Sequence, residues 1–424
     1  MPGGLIQLAS HGREDAYFTK PANSIIWRGV FKRVSNFAIE PLPIRFRQEP
    51  KLGGTTHCVI EPLGDLLCNV IVEVTLRKQA GDFTAAYNPV EAIFDEIQLV
   101  IDGDVVDRHT SDWIYIFNQM HKQYGKAQQY MRMANFDPEF ISSGQSATQT
   151  FMIPMVFSFC RHASGALPLV ALRFSEIHMH FKFKEASTLG LTNDDFEIKL
   201  YGHYAYVDTE ERQLIANTPY DCLIEQTHMQ TFTLPENVPS DVNPKVFQAK
   251  LNFYHPIKCL YWFMKDVYGA HGRYFGDPNG IPLALTADTS NPSGLSLVSP
   301  ISENLNPMYE ARLMFNDQER VPYMKSQYFN HVLPYLHCVG QPVPGVGILP
   351  FGFQLEQFNP VGLCNFSTLV NAMLEVKIKR NAAGTEDPTP TSARDIGSLK
   401  QLVVIGWGYN ILRVENGRGT VAFR

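Results

Sequence analysis

Apolar and polar residues alternate with a period of two along much of the chain. Val70, Val72, Val74 and Leu76 fall on one side of a segment whose other side carries Ile71, Glu73, Thr75 and Arg77. Ile177, Met179, Phe181 and Phe183 alternate with Glu176, His178, His180, Lys182 and Lys184. Phe247, Ala249, Leu251 and Phe253 do the same, as do Val403, Ile405, Trp407, Tyr409 and Ile411. Successive side chains of a strand point to opposite faces, so each segment reads as a strand with one face on a core. Asp102-Gly103, between Val100-Ile101 and Val105-Val106, predicts a tight hairpin turn that needs positive φ. Asn416-Gly417, between Val414 and Val421, is a looser second candidate. Helical spacing is found over Ser111–Gln129, where Trp113, Ile116, Phe117 and Met120 follow Asp112 as the expected cap. Many strands joined by Pro- and Gly-rich loops predict an all-β protein of sandwiches or barrels.

The strands come in two similar sets. Ile101-Asp102-Gly103-Asp104 is matched by Phe315-Asn316-Asp317-Gln318, and Asn69–Leu76 by Leu260–Met264. His178–Lys184 is matched by Met373–Lys379, and Tyr201-Gly202-His203-Tyr204 by Trp407-Gly408-Tyr409. The order is kept at separations near half the chain, as two copies of one β domain would give. The polar stretch from Asp208 to Pro219 is the expected junction. Arg108–Pro168 and Lys265–Pro307 break the alternation and read as long loops.

Composition narrows the class. The 424 residues are 45% hydrophobic and 18% charged, enough to bury large cores and too apolar for a disordered chain. A net charge of −6 gives no overall basic footprint for nucleic acid. Residues 1–60 are the exception, with eight Lys or Arg against four acids. The seven cysteines (Cys58, Cys68, Cys160, Cys222, Cys259, Cys338, Cys364) are scattered without a C-x-x-C pair, so free thiols in a reducing compartment are expected. No stretch approaches 18 apolar residues and the start lacks a signal-peptide layout, so a soluble, cytosolically made chain is expected.

A set of motifs carries a family resemblance. Gly3-Gly4-Leu5-Ile6-Gln7-Leu8, Asp15-Ala16-Tyr17-Phe18-Thr19 and Phe31 to Ala38 open the match. Ile101-Asp102-Gly103, Asp107-Arg108-His109, Trp113, Leu167 to Leu172 and Leu251 to Lys258 continue it. Pro360-Val361-Gly362-Leu363-Cys364-Asn365-Phe366-Ser367 is the most distinctive piece, and Tyr409-Asn410-Ile411-Leu412-Arg413 closes it. The chain thereby resembles the major capsid proteins of nucleocytoplasmic large DNA viruses, of the chlorovirus and iridovirus type. It departs from the usual pattern at Val361 and at Thr368-Leu369-Val370.

The resemblance implies two tandem eight-stranded antiparallel jelly rolls with long loops and one short helix. The corresponding division is an N-terminal arm at 1–24, a first jelly roll at 25–212, a linker at 213–222 and a second jelly roll at 223–424. Three chains would form a pseudo-hexameric capsomer, with Arg108–Pro168 and Lys265–Pro307 at its outer end. Implied partners are further copies of the chain, minor capsid and penton proteins, and an inner membrane beneath the shell, without specific nucleic-acid binding. The place of action is the virion, after synthesis and assembly in the host cytoplasm. Motif residues with expected structural roles are Asp102, Gly103, Trp113, His255, Pro256, Pro360, Gly362, Asn365, Phe366, Ser367, Asn410 and Arg413. Two alternatives are a minor capsid or scaffold paralogue and a carbohydrate-binding or hydrolytic β-sandwich.

Catalytic signatures such as G-x-S-x-G, H-E-x-x-H or a Walker loop do not occur in the sequence. Neither an enzyme nor a cofactor is therefore expected. Glu176, His178 and His180 come nearest to a metal set, but zinc would need a fourth ligand from elsewhere. A solvated polar strand is the simpler reading. His57-Cys58 and His337-Cys338, if extended, each read as a buried thiol beside an exposed imidazole.

Overall fold

The computed structural model describes residues 35–80, 93–134, 145–186, 196–233, 245–266, 308–343, 345–378 and 399–423, with two short paired strands, β12 (Thr286–Ala287) and β13 (Leu295–Ser296). The expected N-terminal arm and nearly all of 265–307 lie outside the described residues.

Four antiparallel sheets carry the fold. In the first half, one sheet has the order β1 (Phe37–Ile44), β8 (Phe196–Val207), β3 (Leu66–Lys78), β6 (Ala147–Pro154). Its companion runs β2 (Thr55–Val59), β7 (Ile177–Phe183), β4 (Phe94–Ile101), β5 (Asp104–Thr110). In the second half, β9 (Tyr220–Thr233), β19 (Leu399–Glu415), β11 (Pro256–Asp266) and β16 (Gly347–Pro350) form one sheet, extended by β17 (Cys364–Asn365) and β20 (Arg418–Val421). The other is β10 (Lys245–Lys250), β18 (Ala372–Ile378), β14 (Met308–Phe315), β15 (Gln318–Lys325). Within each half the eight main strands therefore pair as first-eighth-third-sixth and second-seventh-fourth-fifth, the strand order of a jelly roll. The four segment pairs matched in the sequence fall on topologically equivalent strands and turns.

Alternation explains the first core well. Val70, Val72, Val74 and Leu76 of β3 and Ile177, Met179, Phe181 and Phe183 of β7 all belong to one buried cluster. The hairpin turns also have the expected geometry. Asp102 and Gly103 have φ of 51° and 87°, and Asn416 and Gly417 have 54° and 81°. The second turn is as tight as the first, because Glu415 pairs directly with Arg418.

Three expectations need correction. The helical segment is two helices, Ser111–Met120 and Tyr124–Ala134, and its cap is Thr110, whose hydroxyl accepts from Trp113 N. Helices Thr209–Asn217 and Leu333–His337 are further additions, the first built from the polar stretch expected as junction and capped by Asp208. Arg108–Pro168 is not a long loop, since it holds β6 as well as both helices, and every residue of Ser111–Met120 is buried. Finally, β11 and β19 are buried on both faces: Ile257–Met264 and Leu402–Tyr409 have no exposed residue. Period-two alternation marks an apolar face, but it cannot show that a second layer covers the other one.

Candidate functional site: the seam between the two halves

The second layer comes from the first half. Helix Ser111–Met120 lies across β11 and β19 and presents Trp113, Phe117 and, just beyond its end, His121. Trp113 meets Tyr261 and Trp407 edge-on, with ring centroids 5.3 and 5.5 Å apart. Phe117 meets Trp407 at 5.7 Å, also edge-on. Such pairs add about 0.5–1.5 kcal/mol each beyond the area they bury.

Charges are enclosed in this aromatic layer. The register of β11 on β19 slips between Ile257 and Cys259, and this bulge turns Lys258 into the seam. Its ammonium stands 3.3 Å from the centroid of the Trp407 ring and donates to Glu225 and to Leu355 O. Glu225 also accepts from Arg161, whose guanidinium lies 4.4 Å from the Phe117 ring centroid and whose Nε donates to Val156 O at 2.8 Å. One carboxylate thus serves two buried cations, one from each half of the chain. Burial brings the Lys258 ammonium down to about 8, although Glu225 works against the shift.

A polar ladder continues the seam. Asp107 accepts from Thr227 N at 2.9 Å and Thr227 Oγ1 at 3.0 Å, and its other oxygen is 2.7 Å from His109 Nε2. Burial works to raise this carboxyl, but His109, the Thr227 N–H and Arg161 together hold it below the usual range. Gln226 donates to Val106 O and accepts from Asn410, which also donates to Phe423 O. At the far end, Ser175 Oγ donates to Asp102 and accepts from Gly419 N, so the corners at Asp102-Gly103 and Asn416-Gly417 are joined through one hydroxyl.

The motif residues divide among several places. Asp102 and Gly103 form a turn, while Trp113 and Asn410 belong to the seam. His255, Pro256, Asn365, Phe366 and Ser367 assemble elsewhere: His255 N donates to Ser367 Oγ, Phe366 N donates to His255 O, and Pro256 pairs with Asn365. Gly362, with φ of 139°, fits so close to Phe351 that an added Cβ would lie 2.6 Å from its carbonyl oxygen. Pro360 is exposed, and Arg413 makes an exposed pair with Asp221. These residues do not converge on a reaction centre.

The histidine candidates lie elsewhere, on β7. His178 and His180 are joined by His57 across the ladder, with ring centroids 5.4 to 6.0 Å apart. Glu176 reaches only His178, at 3.3 Å, from a largely exposed position. Cys58 is buried, as expected, beside a partly buried His57; in the second pair His337 ends a helical turn and only Cys338 is extended. Periodicity missed Lys258, Glu225, Arg161 and His121 because their partners are distant in sequence.

Comparison with known proteins follows the same lines. A family model described as the major capsid protein N-terminus matches residues 25–219, and one described as the large eukaryotic DNA virus major capsid protein matches residues 211–420. The chain is 28% identical over 444 residues to the major capsid protein of Paramecium bursaria Chlorella virus 1, covering 100% of both. It is 27% identical over 451 residues to that of Pyramimonas orientalis virus, again covering 100% of both. A quasi-atomic structure of the PBCV-1 virus capsid shares the fold, with a TM-score of 0.79 at 24% identity over 94% of this chain and 100% of its own.

Proposed function

Because the chain belongs to the major capsid proteins of large eukaryotic DNA viruses, we propose that three copies associate into a pseudo-hexameric capsomer that tiles an icosahedral shell. The role is structural, as part of the virion shell, and the relatives it resembles are major capsid proteins. The observation that carries the trimer is the repeated strand order. Two barrels of like topology, held by a buried seam, give each chain two nearly equivalent blocks, and threefold symmetry turns two into six. The division proposed is an arm at 1–24, barrels at 25–212 and 223–424, and a linker at 213–222.

Exposed apolar groups support association. Tyr335, 86% exposed, and Phe353, 81% exposed, stand on neighbouring segments with Leu336 and Val339, and His337 Nδ1 lies 3.1 Å from Phe353 O. Apolar patches of this kind are normally covered by a partner. Minor capsid and penton proteins and an inner membrane complete the proposed surroundings, with synthesis and assembly in the host cytoplasm.

Light scattering coupled to size exclusion tests the trimer. A mass three times 47.9 kDa, and hexagonal tiles in negative stain, are expected. A well-folded monomer at micromolar concentration would overturn it. Phe353→Glu together with Tyr335→Glu should shift the mass toward one chain while circular dichroism stays unchanged.

A further inference from the structure

Three stretches of chain converge behind the inserted helix. His121 follows its last residue, Cys338 follows the helical turn Leu333–His337, and Glu356 lies beyond β16. A ring nitrogen of His121, the Cys338 sulfur and a Glu356 carboxylate oxygen all lie within 4.8 Å of one another. We propose that this cluster is a zinc site that pins the inserted helix onto the second half of the chain.

The donor set suits the ion. Zinc takes nitrogen and oxygen ligands at about 2.0–2.2 Å and sulfur at about 2.3 Å, which places donors roughly 3.2–3.8 Å apart around a tetrahedron. Closing the cluster therefore needs side-chain movement of about 1 Å or less. Charge balances as well: a thiolate, a carboxylate and a neutral imidazole bring a divalent ion to zero net charge, which a buried site tolerates. On binding, the Cys338 S–H bond breaks, sulfur donates its electron pair to zinc, and the proton leaves to solvent.

The surroundings provide outer support. His121 Nδ1 faces Glu356 at 3.0 Å, while Nε2 lies 2.7 Å from the Tyr261 hydroxyl. Coordination through Nδ1 leaves Nε2–H to donate to Tyr261, the arrangement that orients ligating histidines generally. Val339 N donates to Glu356 Oε1 at 3.2 Å. The fourth position is assigned to water.

The experiment uses the full-length purified protein. Elemental analysis should find one zinc per chain, and a strong chelator should lower the melting temperature by several degrees, restored by zinc and not by magnesium. Cobalt replacement should give a near-ultraviolet sulfur-to-metal band that Cys338→Ser removes and Cys259→Ser leaves in place. Metal at background together with no cobalt band on the folded chain would overturn the site. So would zinc that stays bound in Cys338→Ser and is lost in His178→Ala, because the metal would then sit on the sheet histidines. If Cys338→Ser fails to fold, cobalt titration of the unaltered chain decides the matter alone.

Discussion

Asp102 and Asn316 hold equivalent corners of the two halves in the same way. Each sits at positive φ, 51° and 49°. The Asp102 N–H donates to Glu176 O at 3.0 Å, and that of Asn316 donates to Asn371 O at 2.7 Å. The side-chain oxygen of each then accepts from the same opposing segment, Glu176 N for Asp102 and Val370 N with Asn371 N for Asn316. Asp and Asn tolerate left-handed backbone and carry a short acceptor, so one residue type meets both needs.

Replacing either corner residue separates those two needs. Asp102→Ala or Asn316→Ala loses the acceptor and strains the backbone, at an expected cost of about 1–3 kcal/mol. Glycine keeps the backbone and loses only the bonds, so it should cost about 1 kcal/mol. Urea unfolding of the four variants distinguishes the cases; equal costs for Ala and Gly would remove backbone strain from the account.

The buried charges of the seam should behave as a unit. Lys258→Ala leaves Glu225 with Arg161 alone and opens a gap over Trp407, and breaking a buried pair in this way costs about 3–5 kcal/mol. Lys258→Met combined with Glu225→Gln should cost less than the sum of the two single changes. A double-mutant cycle by chemical denaturation reads the difference, and strict additivity would mean the residues act independently.

Trp113 connects the halves through rings on both β11 and β19. Trp113→Ala is expected to cost about 3–5 kcal/mol, typical of emptying a large buried aromatic site. Because the lost contacts lie in the seam, calorimetry should show the melting transition broaden or split. A single sharp transition at an unchanged temperature would count against this role.

Gly340 has no room for a side chain. Its N–H donates to Met120 O, and an added Cβ would lie 2.1 Å from Gln119 O. Gly340→Ala must displace this segment from the helix end, with a loss of at least about 1–3 kcal/mol. Gly125 is the second residue of the next helix and an added Cβ would meet nothing within 4 Å, so Gly125→Ala should stabilise by up to about 1 kcal/mol. Opposite signs in thermal melts are the expected result.

Alkaline pH should weaken the fold. Burial pushes the Cys58, Cys160 and Cys259 thiols up to about 12 and Cys222 to about 11, from an ordinary 9.0. The native chain keeps protons that the unfolded chain has released, so this stability is complete below pH 9 and lost as pH climbs toward 11 or 12. Lys258 works the other way, because its native ammonium, lowered to about 8 chiefly by burial, releases its proton before the unfolded one at 10.5. Burial lowers the Lys122 ammonium in the same sense, and four thiols outweigh two amines. Melting temperatures measured under reducing conditions should fall above pH 9, and a flat profile to pH 11 would refute the balance.

What the sequence determined by itself was local. Val70 to Leu76 and Ile177 to Phe183 are strands because their alternation matches the pleat, and Asp102-Gly103 and Asn416-Gly417 are turns because those residues accept positive φ. The paired motifs also pointed to two sets of strands. Only the tertiary structure decided what lies on the second face of β11 and β19. An alternating pattern records which side of a strand is apolar, whereas Trp407 and Tyr261 are covered by a helix that begins well over a hundred residues earlier. Lys258 was illegible for a related reason: a bulge, which no composition rule marks, turned a residue that reads as solvent-facing into the seam. His121, Cys338 and Glu356 likewise became neighbours only when three distant segments packed together, since spacing along a chain carries no information about approach across one.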